Sequence, residues 1–216
     1  MKQIEIFTDG SCLGNGSKFA KGGIGVFCHT CEEFCFSKGA NETICLKTTN
    51  QTMEICAIYE ALYKVFNSVI SVDRVVIYSD SDYSIKCFTN WINGWSKKGW
   101  KTANGQPVKN QHELKSTWDV IDRLKAKGIF VSFVHLRSHQ NPPQQENRDE
   151  YMRWLGNHKA DEYAVSAAHK STPVVKKTPK HTSTFKFSES SNHENQPIKS
   201  LHEIMSMPRG KTIFIT

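Results

Sequence analysis

Four carboxylates stand in four separate settings that folding could bring to one place. Asp9 ends the apolar run that begins at Ile4 and is followed by Gly10-Ser11; Glu54 closes Thr49-Asn50-Gln51-Thr52-Met53; Asp80 follows Val76-Ile77-Tyr78-Ser79; Asp161 lies in Asn157-His158-Lys159-Ala160 and the residues after it. Each sits at the end of an apolar run or within a helix-like one. Converging carboxylates repel one another unless cations sit between them. Hard divalent cations with oxygen ligands are the natural partners, and two of them can serve a phosphodiester hydrolysis. Three neighbouring acids read as structural: Asp82 starts the next helix, Glu60 lies nearly two turns beyond Glu54, and Glu162 faces about 100° away from Asp161 on a helix.

The elements that must position these groups follow from periodicity. Residues 4–8 alternate and end at Asp9-Gly10. A glycine-rich stretch follows, suited to a tight hairpin or to close approach of a sugar-phosphate backbone. Residues 23–29 and 33–38 read as the next two strands of an antiparallel meander. From Asn50 to Asn67 the period becomes helical, with Met53, Ala57, Ala61, Leu62 and Val65 near one stripe; Asn50 or Thr49 is the N-cap, which predicts Glu54 in the first turn. Residues 74–78 are a strand interrupted by Ser79-Asp80. Reaching it through a helix implies parallel pairing with the first strand, so Asp80 is expected beside Asp9 at the carboxyl edge of the sheet, where open α/β sheets place ligands. Helices are expected over 81–93 and 112–126, a fifth strand over 129–136, a long polar loop to about 148, and helix over part of 151–168. The order βββαβααβα is an α/β fold.

At 216 residues with 38% apolar content, the chain fits one catalytic domain, residues 1–168, and an extension, 169–216. No run of apolar residues is long enough to span a bilayer, and no secretory or lipidation signal is evident, so no membrane partner and an intracellular site are expected, cytoplasm or nucleus being left open. Seven scattered cysteines suit a reducing compartment. Cys28, Cys31 and Cys35, with His29, lack a second ligand pair and read as thiols packed in or beside a hairpin over 25–36. The net charge of +7 is uneven: residues 169–216 hold 8 basic and 3 acidic groups, and residues 97–127 hold another 8 against 3. A local basic patch favours a polyanionic partner. The extension, rich in Pro, Ser, Thr and Lys, has a composition that suits disorder; it could take a protein or nucleic-acid partner, and its last residues, 211–216, a short docking strand.

Six motifs in register resemble ribonuclease HI, the type 1 ribonuclease H, over about residues 3–168. They are Thr8-Asp9-Gly10-Ser11-Cys12-Leu13-Gly14-Asn15, Thr48-Thr49-Asn50-Gln51-Thr52-Met53-Glu54, Ser79-Asp80-Ser81-Asp82-Tyr83, Trp91-Ile92-Asn93-Gly94-Trp95-Ser96-Lys97-Lys98-Gly99-Trp100-Lys101-Thr102 with Pro107-Val108-Lys109-Asn110, His135-Leu136-Arg137-Ser138-His139, and Asn157-His158-Lys159-Ala160-Asp161. The resemblance implies a ribonuclease H-like five-stranded mixed sheet with helices on both faces. It also implies a monomeric, sequence-nonspecific endonuclease that cuts the RNA strand of an RNA–DNA hybrid with two Mg2+ ions, Mn2+ substituting, and leaves 5′-phosphate and 3′-hydroxyl ends. Its metal ligands would be Asp9, Glu54, Asp80 and Asp161. His139 would shuttle protons or help product leave, with His135 and His158 as weaker candidates; the 22 positions from His139 to Asp161 exceed the usual family spacing.

For the substrate, Cys12, Asn15 and Gln51 match positions that touch the RNA ribose or minor groove, and Asn50 the DNA side. Lys47, Thr49 and Asn110 match a pocket for a DNA phosphate. Trp91 and Trp95 would pack deoxyribose, with Lys97, Lys98 and Lys101 extending a basic ridge, while Trp100 reads as structural. The hybrid-binding domain that precedes the catalytic pattern in many eukaryotic relatives is not expected, since the pattern begins at residue 4. A junction resolvase or transposase-type enzyme is disfavoured by Asn50-Gln51 and the tryptophan-lysine ridge. A non-catalytic binding module is disfavoured by the cost of four clustered charges without metal.

Overall fold

The computed structural model describes residues 2–138, 140–144 and 146–174, with the backbone of Phe214–Ile215. Strands β1 (Gln3–Leu13), β2 (Lys21–Phe27) and β3 (Phe36–Gly39) form the antiparallel meander. Helix α1 (Asn50–Asn67) crosses to β4 (Arg74–Ser79), which pairs parallel with β1. Helices α2 (Asp82–Lys86), α3 (Ile92–Lys97) and α4 (Gln111–Ala126) precede β5 (Phe130–His135), parallel to β4. Helix α5 (Arg148–Lys170) closes the domain. The strand order β3-β2-β1-β4-β5 is the expected five-stranded mixed sheet. A two-residue strand β6 (Phe214–Ile215) pairs antiparallel with β5 and adds a sixth, in keeping with the docking strand considered for the chain end. Lys176, Lys177, Lys180 and most of the basic extension lie outside the described residues.

The two-residue period of β1 sorts its side chains between two layers. Ile4 and Ile6, with Val75, Ile77, Val131 and Phe133, join the large core that contains Ile55, Ile58, Leu62, Phe88, Ile92, Leu114 and Ile121. Phe7, Val76 and Tyr78 face the other way and pack with Ala160 of α5. Helix α1 therefore covers one face and α5 the other.

Glycines let both helices approach closely. A Cβ on Gly10 would sit 2.2 Å from the Glu54 nitrogen, so α1 runs against the β1 backbone. A Cβ on Gly25 would sit 1.9 Å from the Ala160 oxygen, and one on Gly23 2.3 Å from the Ala168 nitrogen. The glycines of this stretch thus divide into three jobs. Gly10, Gly23 and Gly25 admit helix backbones, Gly22 leaves room for the Met53 and Thr48 side chains, and Gly14 and Gly16, at positive φ, make the hairpin turn.

The structure corrects several boundaries. Strand β1 does not end at Asp9 but continues to Leu13 against β2. Residues 25–36 are not one hairpin: β2 ends at Phe27 and a short 3-10 turn, Glu32–Phe34, precedes β3. Here the Cys35 thiol lies 3.2 Å from both the nitrogen and the oxygen of Cys28, a local brace that replaces ladder bonds. Glu54 lies past the first turn of α1, which holds no acid. The helix expected over 81–93 is broken by a wide π turn, Cys87–Trp91, and resumes to Lys97. Helix α5 starts three residues earlier than expected, at Arg148, and continues two further, to Lys170.

The glycine seam is testable by stability. Gly25→Ala forces a methyl into the α5 backbone and is expected to cost about 1–3 kcal/mol or more. Gly94→Ala, in open space within α3, should be stabilising by roughly 0.5–1 kcal/mol. Urea denaturation of the two variants decides it; equal stabilities would remove the seam from the argument.

Candidate active site

Parallel pairing of β1 with β4 runs to Phe7 and Tyr78, so the same register carries Asp9 and Asp80 side by side just past the last bonded pair. Asp9 is buried and points to the α5 face, as does its partner position Gly25. Gly10 leaves room for α1, and its backbone adjoins both carboxylates, where it partly offsets the upward push on Asp9 and Glu54. Helix α1 is registered by a reciprocal cap: the Thr52 amide donates to the Thr49 hydroxyl and the Thr49 amide to the Thr52 hydroxyl. Asp161 approaches Asp9 from α5 closely enough to raise its carboxyl.

Oxygen atoms of Asp9, Glu54 and Asp80 all lie within 4.8 Å of one another, and Asp161 adjoins them. The four carboxylates line one cleft of about 960 Å3. Burial, then Asp80 and Asp161, push the Asp9 carboxyl from 3.8 up to about 7. Burial first, then Asp9, raises that of Glu54 well above its usual value. Glu54 Oε2 is buried with no hydrogen-bond partner among the described residues. A buried carboxylate that keeps an unpartnered oxygen and belongs to an all-oxygen cluster is what a hard cation would complete. Among the described residues, Cys28, Cys31 and Cys35 do not gather in this way.

The acids read as structural are engaged elsewhere: Asp82 with Lys86 at 2.6 Å, Glu162 with Lys159 at 2.7 Å and Glu60 with Lys38 at 2.5 Å. Asn157 is a functional neighbour that carried no role in the sequence reading. Its Nδ2 donates to Asp80 Oδ2 at 3.3 Å, and its Oδ1 is buried with no partner among the described residues. Its spacing of four from Asp161 on one helix was the available signal. His135 Nε2 lies 3.2 Å from the Asp80 carbonyl, and His158 stacks on Trp154 at the cleft wall. His139 lies outside the described residues.

Of the expected substrate contacts, Cys12 and Asn50 line the cleft. Cys12 does so from a strand, not a loop, and burial followed by Cys45 raises its thiol pKa. Asn15 sits in the hairpin turn and Gln51 on the exposed first turn of α1. Lys47 is exposed. Thr49 has both its hydroxyl and its amide committed to the cap. The Leu46 amide donates to Glu113 in the first turn of α4, bringing this segment against the helix start where Asn110, at φ 56°, bonds the Tyr83 hydroxyl. Trp91 is 38% exposed, its ring 5.5 Å from that of Trp95, which also packs on the core. Four residues apart across the start of α3, the two rings lie on one helix face. Lys97 and Lys98 end α3, and Lys101 bridges to Pro107. Trp100 packs on the core under Lys115. The aromatic ridge and the carboxylate cleft are thus separate surfaces.

The RNase H family model matches residues 1–169. The chain is 48% identical over 150 residues to a ribonuclease H of Mannheimia succiniciproducens, covering 69% of this chain and 84% of that protein. It is 36% identical over 149 residues to one from Novosphingobium aromaticivorans, covering 69% and 93%. In fold it is similar to the PFV RNase H domain, with a TM-score of 0.57 at 20% identity over 77% of this chain and 94% of that one. It is likewise similar to LC9-RNase H1, with 0.55 at 22% over 80% and 74%.

The raised Asp9 carboxyl makes the metal-free protein pH-sensitive. Below 3.8 Asp9 is protonated whether the chain is folded or not, and its penalty is absent. As pH rises towards about 7 the unfolded chain releases this proton and the folded one retains it, so stability falls across that window. The stability difference between wild type and Asp9→Asn, measured in chelator, should therefore move in favour of the variant from pH 4 to 7. A flat difference would contradict the burial and repulsion at Asp9.

Proposed function

The chain belongs to the ribonuclease H family of endonucleases, and from that premise we propose that it hydrolyses the RNA strand of RNA–DNA hybrids by a two-metal-ion mechanism. Cleavage is sequence-nonspecific and leaves 5′-phosphate and 3′-hydroxyl ends. The observation that carries this reading is the four-carboxylate cleft with its orphaned Glu54 oxygen. Asp9, Glu54, Asp80 and Asp161 would hold two Mg2+, or Mn2+ in their place. When bound, the ions supply water activation and stabilise the leaving 3′-oxygen.

The chain's own groups prepare that chemistry. The Gly10 backbone adjoins two carboxylates and eases their charge, and the Asn157 amide orients a third. Cys12, Asn15, Asn50 and Gln51 contact the minor groove, where 2′-hydroxyls distinguish RNA. Lys47 and Asn110 hold a DNA phosphate; Thr49, whose polar groups cap α1, supports that pocket by fixing its backbone. Trp91 and Trp95 pack against deoxyribose, and Lys97, Lys98 and Lys101 neutralise phosphates. His139 takes the proton-shuttling role.

Residues 1–168 form the catalytic unit, and residues 169–216, with their excess of 5 positive charges, an extension for a protein or nucleic-acid partner. Among the described residues no helix is long and apolar enough to cross a membrane. We propose an intracellular monomer.

A labelled hybrid, an RNA duplex, a DNA duplex and a four-way junction, each tested with Mg2+ and with chelator, separate the readings. Only the RNA of the hybrid should be cut, and chelator should stop it. Asp80→Asn should lose turnover while hybrid affinity stays within several-fold; an active Asp80→Asn protein would refute the role of Asp80.

A further inference from the structure

Apart from Asn157 and His158, the long stretch between His139 and Asp161 has no place in the chemistry so far, yet part of it builds a wall. Helix α5 starts thirteen residues before Asp161, and its first turns are fastened to the sheet. Met152 O lies 2.7 Å from His29 Nε2, Arg153 lies near the Tyr78 hydroxyl, and Gly156 sits against the Phe7 ring. Trp154, on the same turns, donates from Nε1 to the Gln140 carbonyl at 3.0 Å. Its ring stacks on His158, with centroids 5.1 Å apart and planes at 9°, and Tyr151 adjoins it at 5.8 Å. Both partners restrict the indole, so the chain after β5 is pinned at Gln140 to a rigid helix.

Arg137, Ser138, Gln140 and Trp154 line the same cleft as the four carboxylates. The strand order β1-β4-β5 puts them on the β5 side of the acids, opposite Cys12 and Asn50 on the β1 and α1 side. Of the two arginines on this wall, Arg153 lies on α5 near the Tyr78 hydroxyl, whereas Arg137, just past the end of β5, is exposed and makes no salt bridge among the described residues. A strand lying with one phosphate over the acids and its neighbours against Cys12 on one side must pass this guanidinium on the other. A guanidinium fork matches phosphate geometry.

We propose that Arg137 is a phosphate contact for the scissile strand on the β5 side of the cleavage point, with Trp154 as its positioning residue through the bond to Gln140. This rests on the hybrid-cutting reading; cleavage of the full-length hybrid by wild type in the same assay upholds that reading whatever the variants do.

Steady-state cleavage of a full-length hybrid is compared with that of two shortened hybrids, ending near the cut on one side or the other. Arg137→Ala should raise KM roughly tenfold on the full-length hybrid with kcat near wild type. It should also reduce the slope of log(kcat/KM) against log salt by about 1. On one of the two shortened hybrids wild type and variant should become equal. Trp154→Ala should raise KM by a similar factor, and adding it to Arg137→Ala should raise KM little further, whereas with Lys101→Ala its effect should multiply. An unchanged salt slope for Arg137→Ala, or a deficit that persists on both shortened hybrids, overturns the phosphate contact. Independent, multiplying effects of Arg137→Ala and Trp154→Ala overturn the positioning role.

Discussion

Mutual repulsion among four crowded carboxylates is the constraint around which the domain is arranged. Each carboxylate comes from a different element, and nothing in the acids themselves brings them together. What does so is backbone contact: α1 against Gly10 on one face of the sheet and α5 against Gly23 and Gly25 on the other. Hydrophobic burial on both faces supplies the drive, since the large core beneath α1 and the smaller cluster of Phe7, Val76, Tyr78 and Ala160 both form only when the helices close. The raised Asp9 and Glu54 carboxyls record the opposing cost. Function is held here against local stability, and bound cations would relieve the conflict.

Much of this was legible in the sequence because two periods dominate it. Helix α1 was read to its bounds, since its apolar stripe is long and its cap chemistry local. Asp9 and Asp80 were placed together because a crossover through a helix leaves only parallel pairing. The glycines were less legible. A glycine in a strand signals close approach without saying by what, and the partner here is the protein's own helices more than a ligand. The end of β1 was misjudged because Ser11, Cys12 and Leu13 lack an alternating signature; their pairing comes from β2 across the hairpin. The π turn at Cys87–Trp91 has no sequence signature of its own. The wall around Trp154 depends on a side chain meeting a carbonyl fourteen residues away, which no local pattern encodes.

The substrate-facing groups divide in the same way. Asn50 and Cys12 line the cleft itself. Thr49 shows how a motif residue can be real and yet serve another end, because its hydroxyl and amide are both spent on the helix that carries Glu54. The tryptophan ridge lies outside the cleft, as a second strand of a duplex would require. Its geometry is set by the helical spacing of Trp91 and Trp95 and by the inward packing of Trp95 and Trp100, not by the lysines around it.

The continuation of β1 past Asp9 has a further consequence. Asp9 and Cys12 ride on one hydrogen-bonded ribbon, three residues or roughly 10 Å apart along the strand. No hinge separates the Asp9 carboxyl from the Cys12 thiol, so the span between them behaves as a fixed gauge. A duplex whose groove is too broad or too tight for that gauge would meet one end of it and miss the other. Selection among double helices can thus be a matter of width, imposed by an inextensible strand.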